Sequence, residues 1–459
     1  MNRISRRNLL QTALQTGAGL GAAALAAHLP LQQALAAAAG AQDEFFILIH
    51  ASGGWDVTLW SDPRNERVGL VEPASTDNTD WTKIRRFKPV TVDADTNSFE
   101  ILTAPNGMRF GPTLGNLFDL ASRLTVINGL AMNTVSHPDG TWFSATGRHL
   151  AGGRPVASSI DTMLSNEFGT TQLFPTVSIN YPSSYIGAGL DRRVVPLKIG
   201  SIGTIAKTLA RSATFETTAE RDAVTVLLSQ EAQDLAQIAN DPVPLLALDS
   251  QYQSLRKMLD PAQNLTAVFD QTKLVKAHPE LNAVFSNTQQ AAAIDAAFAI
   301  EAMSRNLVRS VSFATSSFDT HNTNYKNQAI TQQDLFDLLA ALVIKLDTTP
   351  HPTRTADKLS DHTHILVVSD FCRTPMINLS NGRDHYPNNS ALIISPRFKN
   401  VVYGKTDAEQ LLPADAGSLG GAVRPVAPPD VLATFVSAFG ADPRKYLRDG
   451  DVIAEILKQ

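Results

Sequence analysis

Short continuous apolar runs alternate along this chain with longer stretches in which apolar residues return every three or four positions. The first run, Phe45 to Ile49, reads FFILI and is followed by His50, Ala51 and the glycine pair Gly53–Gly54 before Asp56. A strand buried on both faces of a parallel sheet has this texture, and the glycines mark a tight turn past its end. From Pro112 to Leu124 the apolar positions Leu114, Leu117, Phe118 and Ala121 fall at helical spacing, and LTVING follows as a second strand. Strand, helix, strand is the grammar of a parallel α/β sheet. Further strands are expected at Val308 to Ser317, at Ile365 to Val368 and at Ser390 to Ser395. Helices are expected after Pro138, over Thr331 to Leu346, and near Ala427 to Gly440, where prolines stand at the start. Residues 203–300 are rich in Ala, Gln and Glu and amphipathic, which predicts a helical insertion in the α/β frame.

Composition narrows the class. The 459 residues are 43% hydrophobic and 18% charged, suited to a globular core and unlike a disordered polyion. A net charge of -5 offers no general attraction to nucleic acid. The single cysteine, Cys372, forbids an intrachain disulfide and reads as a small buried residue. At the N-terminus, SRRNLLQ (Ser5 to Gln11) precedes an Ala/Gly-rich apolar run from Ala13 to Leu29, the pattern of a twin-arginine export signal with cleavage between Ala36 and Ala41. Residues 1–41 are therefore set apart from the single domain expected over 42–459. The expected partner is the twin-arginine machinery, and the expected location periplasmic or extracellular. The apolar run, interrupted by His28 and Pro30, is too short for a permanent membrane span.

Three predicted strands run into acidic or acidic–histidine positions: Asp56 after the first, Asp319 and His321 after the one near 312, and Asp370 after the one near 366, with His385 a short loop later. Ligands of an open parallel sheet bind beyond the carboxyl ends of its strands, so these residues are expected to converge there. Carboxylates and imidazoles together suit one or two divalent cations: zinc, manganese or iron, with calcium also open. Each residue has a plainer role too. An Asp after a strand often caps the next helix, and a lone loop His is usually a hydrogen-bonded surface group.

The segments GGWD, FDTH, SDFCRTPMIN and NGRDHYP, in this order, resemble the exported domain-of-unknown-function family 1501. That resemblance implies the alkaline-phosphatase-like superfamily, a three-layer α/β/α sandwich with a mostly parallel sheet. It also implies Asp56, Asp319, His321, Asp370 and His385 as metal ligands, Ser136 in the motif SHP as nucleophile, and His137 as a competing ligand or base. Phe371 stands where the superfamily pattern has a histidine, which weakens or removes one metal site. Gly140 breaks the sulfatase maturation pattern, and Asp139 would repel an anionic group. The activity this implies is metal-dependent hydrolysis of a phosphate- or sulfate-type ester, of a small molecule or polymer, by Ser136 or a bound water. Arg373 and Arg383 could clamp the anion or pair structurally. The alternative is a non-catalytic exported scaffold on the same fold.

Overall fold

The computed structural model describes residues 43–73, 81–91, 97–187, 189–204, 265–282 and 290–458, with Ala223, Val226 and Leu227. The export signal expected over 1–41 and most of the insertion expected over 203–300 lie outside these residues.

Eight strands form the central sheet: β1 (Phe45–Ala51), β2 (Leu124–Asn128), β3 (Phe174–Ile179), β4 (Leu197–Ile199), β5 (Val308–Thr315), β6 (Thr363–Ser369), β7 (Ser390–Ile394) and β8 (Val402–Tyr403). Their spatial order is β8-β2-β7-β6-β1-β5-β3-β4. Within this sheet, β7 alone is antiparallel to both of its neighbours. The strands β3 and β4 carry no signal strong enough to be picked from the sequence.

Every residue of β1 is buried. Successive side chains point to opposite faces, and Phe45, Ile47 and Ile49 join one core while Phe46 and Leu48 join the other. Helices α3 (Gln290–Ser304) and α4 (Asn324–Thr348) fill the first core; α1 (His137–Thr146), α2 (Ile160–Phe168) and α5 (Pro428–Ser437) fill the second. Each fully buried Phe, Leu or Ile contributes roughly 1.5–3 kcal/mol against leaving it in water. A mostly parallel sheet with helices on both faces is the α/β class the alternation of runs predicts. Where the insertion is described, at Leu265–Val268, Gln271–Ala277, Pro279–Asn282 and α3, it is helical.

The helix expected over 112–124 is instead a 3-10 segment, Pro112–Arg123, broken at Gly115 (φ 53°). The break has a cause: a Cβ at Gly115 would meet Asp337 Oδ1 at 2.4 Å. That same oxygen accepts the Asn116 N–H at 2.6 Å, so the carboxylate enters the segment where a continuous helix would exclude it.

The register of β1 sets up the functional rim. Ala51 lies opposite Ser369 on one side and Thr315 on the other, so three strands finish level. Gly53, Asp370 and Asp319 follow at that edge. Gly53 (φ 115°) leaves no room for a Cβ, which would sit 2.4 Å from the Asp319 nitrogen.

Candidate functional site

Four side chains close on one another at this rim: His137, Asp319, His321 and His385, whose ligand atoms all lie within 4.8 Å of each other. His137 opens α1, behind the N-cap Ser136 and ahead of Pro138, so the start of that helix faces the cluster. Asp319 and His321 come from the loop after β5. His385 sits in a two-residue ladder in which Arg373 pairs with His385, which fixes its backbone beside the Asp370 loop.

Each imidazole is held by its Nδ1. His137 Nδ1 lies 2.6 Å from Asp370 Oδ2, His321 Nδ1 2.7 Å from Asp384 Oδ1, and His385 Nδ1 2.7 Å from the Val135 carbonyl. Carboxylate and carbonyl oxygens only accept, so each Nδ1 carries the proton, and in the neutral rings each Nε2 presents a lone pair. All three Nε2 atoms face Asp319 Oδ1, at 3.5, 3.2 and 3.8 Å for His137, His321 and His385. The His321 and His385 Nε2 atoms are 2.9 Å apart. Two lone pairs that close repel unless a proton or cation lies between them. His137 Nε2 is buried without a hydrogen-bond partner. Histidines tied through one nitrogen and bare at the other are the arrangement metal sites use to orient their ligands.

The electrostatics agree. Burial alone would raise the Asp319 carboxyl, but the hydrogen bond and charge of Arg373 and the nearby His137 and His321 hold it below its usual value. The Asp384 carboxyl is lowered chiefly by its hydrogen bond to His321. Partial burial, together with the neighbouring charges of His137, Arg373 and His321, holds His385 below its ordinary value, favouring the neutral ring that a metal needs. Three imidazoles and one carboxylate suit zinc or another first-row divalent ion; calcium would ask for more oxygen.

Asp370 stands one step behind. It is buried and accepts from Gly53 N at 3.0 Å, from His137 and, in a very short contact, from His50 Nε2. Burial opposes its ionisation, yet the charge of His50 and the bonds from both histidines outweigh burial and hold it far below the carboxylate range. His50 was missed by the sequence reading, although a histidine closing an apolar strand was its visible signal. Asp384 was missed as a supporting group too.

The expected ligand set is thus only partly assembled. Asp319, His321 and His385 meet, joined by His137; Asp370 orients His137 from outside the cluster. Asp56 lies apart. Its carboxylate is fully buried, caps a 3-10 turn through Thr58 N (3.0 Å) and Thr58 Oγ1 (2.6 Å), accepts from Asn324 (2.7 Å), and faces Arg383 at 3.5 Å. The capping role and not the ligand role describes it. Neither arginine is an open clamp for an anion. Arg383 is buried and spends its guanidinium on Asp56, Thr58, the Glu72 carbonyl and Tyr325. Arg373, also buried, spends its own on the Gly53, Gly54 and Arg383 carbonyls and, at 2.7 Å, on Asp319. Asp139 is turned toward His149 Nδ1 (2.8 Å) and Leu150 N (2.9 Å), which already occupy its carboxylate. Ser136 is exposed at the N-cap and makes no side-chain cap bond. Phe371 packs on His137 and His385, with ring centroids 4.8 and 4.5 Å away. Cys372 is buried, and burial drives its thiol far above its usual range. Trp55 is a core residue, tilted against Trp60 with ring centroids 4.5 Å apart.

No curated protein matches the chain. Two solved structures are similar over most of its length. The crystal structure of Ps i-CgsB in complex with k-i-k-neocarrahexaose is 11% identical, covers 89% of this chain and 74% of that chain, and has a TM-score of 0.32. The crystal structure of Ps i-CgsB is 9% identical, covers 89% and 75%, and has the same TM-score of 0.32. Scores that low transfer neither fold nor activity. The family described as "Protein of unknown function (DUF1501)" matches residues 44–451, and the chain belongs to that family.

Proposed function

We propose that this protein is an exported hydrolase of phosphate- or sulfate-type esters that works with one divalent cation, on an alkaline-phosphatase-like frame delivered by the twin-arginine route. The observation that carries the metal reading is the set of three imidazole Nε2 atoms and Asp319 Oδ1, each imidazole fixed through Nδ1. A cation held by His137, Asp319, His321 and His385 would lower the pKa of a bound water and offset charge on an ester oxygen. One ion is favoured over two because Asp56 already has Arg383, Asn324 and Thr58, and because Phe371 offers no ligand atom.

The chain's own residues do the rest. Asp370, kept ionised against His50, holds the proton on His137 Nδ1. Arg373 steadies Asp319, and Asp384 steadies His321. Ser136, exposed one residue before His137, is the candidate nucleophile, with a metal-bound water as the other attacker.

The test pairs metal analysis with hydrolysis assays on phosphomonoester, phosphodiester and sulfate ester substrates. The expected result is about one divalent ion per chain and ester cleavage lost on His385→Ala; a metal-loaded protein inert on all three substrate types would overturn the hydrolase. A scaffold is the second reading, favoured by Phe371 at a ligand position and by the burial of both arginines away from any anion. It predicts an intact fold and no cleavage.

A further inference from the structure

Away from the histidine cluster, a cavity of about 500 Å³ opens beside the ends of β2 and β8, lined by Asp62, Arg64, Asn106, Arg109, Lys405 and Thr406 among others. Its charge is lopsided. Asp62 is the one acid among the lining residues, and it is already engaged by Arg64 at 3.0 Å and by the Thr406 hydroxyl. Arg64 also donates to Thr406 at 2.7 Å, which fixes its guanidinium, while its Nε is buried with no partner. Arg109 and Lys405 are exposed and make no ion pair or side-chain hydrogen bond among the described residues. Both stand on short antiparallel ladders, Arg109 opposite Thr103 and Lys405 opposite Ala414, so their backbones are held in place.

Like charges gathered at one concave wall repel and reduce stability unless an anion joins them. Three cations against one neutralised carboxylate leave two positive charges uncompensated. The volume exceeds that of a lone phosphate or sulfate and lies in the range of pockets that take small molecules. The exposed Asn400 amide on the same wall, without a side-chain hydrogen bond among the described residues, suits a hydroxylated body rather than an apolar one.

We propose that this cavity binds a small hydroxylated oxyanion, a sugar-sized molecule bearing phosphate or sulfate, through Arg64, Arg109 and Lys405. The site is separate from the metal cluster and does not rest on the hydrolase reading. A planar guanidinium such as Arg109 takes two oxygens of the anion, and the Lys405 ammonium supplies a point charge.

Calorimetric titration of the full chain in chelator, where the hydrolase proposed above would not cleave a phosphomonoester, tests it, with glucose 6-phosphate, inorganic phosphate, inorganic sulfate and neutral glucose as separate probes. Glucose 6-phosphate is expected to bind, phosphate and sulfate to bind more weakly, and glucose not at all. The double substitution Arg109→Ala, Lys405→Ala should weaken sugar phosphate binding at least about tenfold, each lost charged bond being worth about a factor of ten. Arg109→Lys with Lys405→Arg should restore part of it, and all variants should melt where the parent does. His385→Ala should leave this binding unchanged, which separates the cavity from the cluster. Binding that the double variant retains, binding abolished by His385→Ala, or no binding of any of the three anions would overturn the proposal.

Discussion

Asp56 and Asp319 follow neighbouring strands of one sheet, and each faces a buried arginine, yet they have opposite fates. The Asp56 carboxylate is sealed: Thr58, Asn324 and Arg383 occupy its oxygens, and it has no exposed surface. Asp319 has Arg373 on one side, but its side chain is half exposed and the same oxygen confronts three imidazole nitrogens. A strand-end carboxylate is open to a cation only where its remaining lone pairs are left facing exposed, basic partners. Where hydroxyl, amide and guanidinium donors crowd in, it becomes a structural pin.

The largest expected effect comes from pulling that pin. Asp56→Ala leaves Arg383 buried without its counter-charge and should cost roughly 3–5 kcal/mol, read as a drop in the urea midpoint at neutral pH. A loss below about 1 kcal/mol would make Asp56 the more open of the two, against the contrast drawn here. Next, His321→Ala or His385→Ala should reduce divalent-metal affinity by more than about a hundredfold while leaving the metal-free melting temperature within a few degrees, since the His321 ring is exposed and the His385 ring only partly buried. A smaller effect is expected behind the cluster. Asp384→Asn and Asp370→Asn replace the charged acceptors that fix two of the rings with neutral amides and should lower metal affinity by about 10- to 100-fold each. Asp370→Asn should also lower stability, because His50 loses its partner inside the fold.

The last effect, read along the acid limb, concerns a group remote from both. Glu44 is buried, which by itself would raise it, but His364 and Arg397 pull its carboxyl down to about 2 from an ordinary 4.5. A depressed carboxyl stabilises the fold above its unfolded value, and that contribution disappears as pH falls from about 4.5 toward about 2. Glu44→Gln should flatten the acid limb of the stability curve in that window. An acid limb identical to the parent's would remove Glu44 from the account.

Much of this was legible in the chain. The buried runs at Phe45–Ile49 and Ile365–Val368 are strands because two-sided burial leaves no polar alternation to confuse them, and their register brings the segments just beyond them to one edge. Less was legible about the division of labour. Nothing in the order of residues says that Asn324, four positions beyond Thr320 and at the start of α4, will donate to Asp56, because that contact spans 268 positions. The same holds for the pairing of His50 with Asp370, set by strand register rather than local spacing. The break at Gly115 escaped because its apolar spacing is helical; only the Asp337 carboxylate from another element reveals why the turn opens. His137 was expected as a competing ligand or base; that its ring joins the cluster of Asp319, His321 and His385 emerges only once α1 is docked on Asp370.

Metal retention by the full chain decides whether the histidine cluster holds a cation. The parent protein and a His321→Ala, His385→Ala double variant are equilibrated with zinc, desalted and subjected to elemental analysis. About one zinc ion per parent chain is expected, and near none in the double variant at equal folded content. A parent that retains no zinc, or a double variant that retains as much as the parent, would contradict that expectation.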